Sequence, residues 1–146
     1  MSGLIPQVKY FAGAKVLFLP GGGCLSVYSG GAFSVAALGQ VVDHLGVAWA
    51  GESSYVAYCG HADVQFDWEA VAHNTKIRTS LGQAACSVVV RPSELASADR
   101  FCRRLTAAGV PRMAFTTGEE VQARQWALRA GVLVSARLCS RGSIRV

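Results

Sequence analysis

Ala85 to Leu128, ACSVVVRPSELASADRFCRRLTAAGVPRMAFTTGEEVQARQWAL, is the stretch whose reading decides the fold. Cys86 to Val90 is a β-branched run without charge, the pattern of a strand covered on both faces. Arg91-Pro92 ends it, because the residue before a proline is pushed out of helical space. Ser93 is placed to accept from the free N–H groups of a following helix, and Glu94 suits that helix's dipole. Leu95, Ala98, Cys102 and Leu105 form one apolar stripe, with Arg100, Arg103 and Arg104 mostly off it. Gly109 supplies a left-handed C-terminal cap and Pro111 prevents the helix from resuming. Arg112 to Thr116 is a second strand, and Thr117-Gly118-Glu119-Glu120 reads as a capping box for a second helix. The spacing therefore predicts a β-α-β-α unit with a right-handed crossover between parallel strands.

Outward from that unit, 146 residues suit one domain, long enough to bury roughly two-thirds of its unfolded surface. A hydrophobic share of 51% against 16% charged residues excludes a disordered chain. The net charge is +5, and the last third holds Arg100, Arg103, Arg104, Arg112, Arg124, Arg129, Arg137, Arg141 and Arg145. Such a balance admits an acidic partner without requiring one. No aromatic residues interleave with these arginines as in a single-strand groove, so nucleic acid is not the expected partner. Lys9, Gly13 and Lys15 interrupt the apolar start, which does not read as a signal peptide. No apolar run approaches about 18 residues, so no membrane span is expected and the cytoplasm is the expected compartment. Five widely spaced cysteines, Cys24, Cys59, Cys86, Cys102 and Cys139, read as reduced core residues.

Before the deciding stretch, Lys15–Leu19 and Cys24–Tyr28 read as a hairpin around Gly21-Gly22-Gly23. The triple glycine leads into a strand and not into a helix amino terminus, which removes a phosphate cradle. Ser34 caps a helix to about Leu45, Trp49 lies in a loop where it could close over the core, and Ser54–Cys59 is a third strand. Gly60 to Gln65 is a loop, and Asp67 caps a helix to about Leu81. Gly131 closes the last helix, and Val132–Leu138 could add an edge strand before a frayed end. His61, Asp63 and Asp67 stand at a strand's carboxyl end, where open α/β sheets gather ligands. As a metal set they are weak, because one loop with a single histidine fixes the geometry poorly. No G-x-S-x-G elbow occurs. A Cys59–His61 thiolate–imidazole pair needs the strand to continue through Gly60.

Three segments, quoted as they stand, carry a family resemblance: GGAFSVAALGQVVDHL (Gly30 to Leu45), YVAYCGHADVQFDWEAV (Tyr55 to Val71), and Ser87 to Leu128 with its Pro-Ser turn and its closing MAFTTGEEVQARQWAL segment. Together they resemble the small bacterial domains related to the STAS fold of anti-sigma-factor antagonists and to the CRAL-TRIO lipid-binding fold. The match covers roughly residues 14 to 128. It implies an α/β domain with a mixed sheet of about five strands, an N-terminal hairpin then parallel strands, and about four helices. On that reading residues 1–146 form one domain, with 129–146 an extra C-terminal strand or tail. The antagonists carry a phosphorylatable hydroxyl at the start of the helix after the central strand. Here that turn is Phe66-Asp67-Trp68-Glu69, without a hydroxyl and already acidic, so a phosphoswitch is not expected there. The resemblance implies a non-enzymatic module that contacts a protein partner, or itself as a homodimer, through Trp49, His61, Asp63, Phe66, Asp67 and Trp68. Two other readings stay open: a small apolar ligand or lipid binder using a pocket beneath the same loops, and an enzyme built on Cys59 or His61. No cofactor and no metal is expected.

Overall fold

The computed structural model describes residues 8–11, 14–18, 24–28, 54–61, 64 and 85–144. They form one mixed sheet of β1 (Val8–Phe11), β2 (Ala14–Phe18), β3 (Cys24–Tyr28), β4 (Ser54–Cys59), β5 (Ala85–Val90) and β6 (Arg112–Thr116), with neighbours in chain order. The pairs β1–β2 and β2–β3 are antiparallel, whereas β3–β4, β4–β5 and β5–β6 are parallel. A 3₁₀ turn (Pro92–Glu94) leads into α1 (Leu95–Ala107), and α2 (Glu120–Ile144) follows β6. A mixed α/β sheet with a hairpin before parallel strands is what the sequence predicts. The expected helices near 34–45 and 67–81 lie outside the described residues.

Every residue of β5 is buried, as its uncharged run demands of a strand covered on both faces. Alternation then sorts the side chains between two layers. Cys24, Ser26, Tyr28, Ala57, Cys59, Cys86, Val88 and Val90 face α1, whose Ala98, Phe101, Cys102 and Leu105 pack against that side. Val56 and Val89 face the opposite way, toward Ala123 and Ala127 of α2, with Leu25, Tyr58, Phe115 and Trp126 around them. Helix α2 lies over β4, β5 and β6.

Four local expectations need correction. The first is β1, which joins the sheet and takes the described strands to six. Ser93 makes no cap bond, because Pro92 opens a 3₁₀ turn in which the Glu94 N–H bonds the Arg91 carbonyl. The box before α2 is displaced. The Glu119 carboxylate accepts the Thr116 N–H at 3.0 Å, while the Glu120 carboxylate accepts from Gly118, which holds φ at +97°. Finally, Val132–Leu138 is no edge strand, since α2 runs through it to Ile144. The physical contrast lies between two glycines. Gly109 takes a positive φ of 90° and Pro111 follows; Gly131 has no positive φ and no proline after it. A helix passes through an interior glycine at a cost of about 1 kcal/mol.

Candidate functional site

At the strand tips, where sequence reasoning placed the site, His61 is exposed and its ring meets Tyr58 edge-on with centroids 5.7 Å apart. The other residues assigned there, Trp49, Asp63, Phe66, Asp67 and Trp68, lie outside the described residues. Arg91, which no motif singled out, organises this end. Its guanidinium donates to the carbonyls of His61 and Val64, the latter at 3.1 Å, and lies 3.8 Å from Glu94. It fastens the loop after β4 to the end of β5. A lone arginine before a proline carries no pattern that would reveal such a contact.

Cys59 does not make a nucleophile with His61. Its side chain lies in the α1-side core at 3% exposure, and burial pushes its thiol well above the ordinary range. Burial likewise raises Cys86 to about 11 and Cys102 to about 12. A thiol that stays protonated at neutral pH is neither a ready nucleophile nor a ready metal ligand. Beside these thiols, Ser26, Tyr28 and Tyr55 form a hydroxyl cluster. The Tyr55 oxygen lies 2.5 Å from the Ser26 oxygen and 3.2 Å from that of Tyr28. Burial raises Tyr28 to about 12 and holds Tyr55 well above its ordinary value. Hydroxyls satisfied by one another inside a core specify packing and offer no base to a substrate. Among the described residues no set of three His, Cys, Asp or Glu side chains is disposed to hold a metal. No helix among the described residues is long and apolar enough to cross a membrane.

The opposite side of the sheet carries a cavity. Leu25 and Val27 of β3, Val56 and Tyr58 of β4, and Val89 of β5 form its floor; Glu120, Val121, Arg124, Gln125 and Leu128 of α2 form its wall. It is an open groove of about 530 Å³. Its origin lies in the small residues of α2. Ala123 and Ala127 let the helix sit close to β5, and the helix covers one part of the sheet while β3 extends beyond it. Glu120, fully exposed at the groove's end, is held below the usual carboxylate range by the Gly118 N–H. This arrangement offers an apolar floor and a mixed wall that carries the Glu120 carboxylate and the Arg124 guanidinium. Sequence reasoning did not locate it, because residues from β3, β4 and α2 meet there only through the packing of the helix across the sheet.

Comparisons with known proteins assign no relative: no family model matches the chain, and no curated protein or solved structure matches it.

Proposed function

We propose that this protein is a non-enzymatic interaction or regulatory module of STAS-like fold that engages a protein partner through the groove between α2 and β3–β4. The groove itself carries the reading, an apolar concavity of about 530 Å³ on the side of the sheet away from the thiols. Apolar concave surface left open to water marks binding sites more often than decoration. The order of hairpin and parallel strands supports the STAS-like assignment. Four buried cysteines among the described residues, Cys24, Cys59, Cys86 and Cys102, suit a reducing compartment, and we place the module in the cytoplasm. His61, exposed beside Arg91 at the strand tips, extends the contact surface.

A photo-crosslinking side chain at Gln125, in the groove wall, tests this against the same side chain at the exposed Arg103 of α1. Protein adducts in cells should concentrate at Gln125. Equal labelling at both positions would remove the reading. A second reading, a small apolar ligand, is favoured by the same volume, which lies in the range of small-molecule sites. Native mass spectrometry of purified protein would then show a retained mass that disappears when Val27 is replaced by Trp.

A further inference from the structure

We infer that the occupant of this groove is an acidic amphipathic helix of a partner protein, an inference that rests on the binding reading above and gives the partner its chemistry. The shape comes first. Val121, Gln125, Leu128 and Val132 recur at i, i+4, i+7 and i+11, so they lie along one flank of α2, and the first three line the groove. That flank and the sheet floor make two walls of a trough, which is the form that receives a helix laid alongside. Apolar surface continues past the groove itself. Val132 is 68% exposed along the helix, and Val8 is 40% exposed beyond the floor, in register with Leu17 and through it with Leu25. A strip of that extent exceeds what a small molecule covers and suits an element of about three turns.

Charge then selects among elongated partners. Arg124 stands in the helix wall, and Arg129 is exposed one turn on. On the other bank Lys15 of β2 is exposed and in register with Val27, which places both on the same face. Glu120 stands in the same wall and keeps its negative charge, so the three cations leave a surplus of positive charge around the groove. After Glu120 the chain has no further Asp or Glu. A second copy, itself at net charge +5, would bring the same positive surplus to the contact. A helix with apolar residues on one face and carboxylates at its borders meets them with opposite charge.

The test uses the full chain and a labelled helical peptide of about 14 residues, Leu and Ala on one face and Glu at its borders. Its twin carries Lys for every Glu, and fluorescence anisotropy reads both. The Glu peptide should bind at least about tenfold more tightly than the Lys peptide, and its affinity should fall with salt. Lys15→Glu, at an exposed position that leaves the core intact, should weaken the Glu peptide by about fivefold or more and strengthen the Lys peptide. Equal binding of the two peptides, binding of neither, or indifference to Lys15→Glu overturns the inference. So does a dimer in native mass spectrometry that the Glu peptide fails to dissociate, or a co-purified acyl compound that blocks it. If the peptide fails while the Gln125 cross-links persist, the partner's chemistry is wrong and the binding reading stands. If both fail, the binding reading falls with it.

Discussion

The Thr106 hydroxyl accepts the Arg112 N–H at 3.1 Å and donates to the Arg112 carbonyl at 3.0 Å. One α1 side chain thus closes both backbone groups that Arg112 turns away from β5. At the other end of β6, Thr116 is closed in the same way by Glu119. The Glu119 carboxylate accepts the Thr116 N–H, and the Glu119 N–H donates to the Thr116 carbonyl, each at 3.0 Å. Unpaired strand edges invite pairing with other chains, and a five-residue edge plugged at both ends offers little to pair with. Association through β6 is therefore disfavoured.

Replacing Thr106 by Val should cost about 1–2 kcal/mol, because two backbone groups lose a partner while the side-chain volume stays similar. The urea midpoint measures the cost. Thr106→Ser, which keeps the hydroxyl, should recover most of it. Light scattering on warming should show the Val variant aggregating earlier than the parent.

Ser87 is fully buried and its hydroxyl donates to the Ala123 carbonyl at 2.8 Å, the polar tie between β5 and α2. Ser87→Ala should lower stability by about 1 kcal/mol. Hydrogen exchange should show the loss in the amides of α2 around residues 123–127, with α1 unchanged. A uniform loss across both helices would show that the bond does not anchor α2 in particular.

Alkaline pH should destabilise the fold, and the sign follows from burial. The thiols of Cys59, Cys86 and Cys102 have their folded values raised above an ordinary value of 9.0, so the folded state holds its protons longer than the unfolded one. Their stabilising contribution is complete below about pH 9 and is lost as pH climbs toward about 11 for Cys86 and about 12 for Cys102. Tyr28 and Tyr55 steepen the loss above pH 10. Urea midpoints should be level from pH 7 to 8.5 and fall thereafter, by at most about 1.4 kcal/mol per pH unit for each thiol. Cys102→Ala should reduce that slope.

Thiol reagents should find the native core closed. Cys24, Cys59, Cys86 and Cys102 are all buried, and the last three resist ionisation. Peptide mapping after brief treatment with an aromatic disulfide at pH 7.4 should show these four unmodified, and all four modified in urea. Fast modification of Cys59 in the native protein would reopen the thiol–imidazole reading.

Gly60 bears on the same corner. A Cβ there would stand 2.6 Å from Thr117 Cγ2 and 2.7 Å from the Tyr58 hydroxyl oxygen. Gly60→Ala must push aside the turn before α2 or the Tyr58 ring, at about 1–3 kcal/mol. Since Tyr58 lines the groove, this substitution should also weaken binding there, whereas Gly118→Ala, in open space at positive φ, should cost backbone strain alone.

Local chemistry made much of this fold legible in the amino-acid order. The uncharged run at β5, the alternation of β3 and β4, Gly109 followed by Pro111, and the apolar stripe of α1 each signal their element without reference to distant residues. Where two local signals competed, the reading failed. Val132–Leu138 has strand-forming residues after a glycine, yet helix propagation from α2 won, because nothing beyond Gly131 blocks the next hydrogen bond. Tertiary packing alone decided the rest. It chose which face of the sheet α2 crosses and how far β3 extends past it. It also left Arg91 holding the loop after β4, and set Arg124 in the wall of a groove whose floor residue Val27 is in register with Lys15. Periodicity along a chain reports what a residue hides from water; what meets across a sheet depends on how whole elements dock.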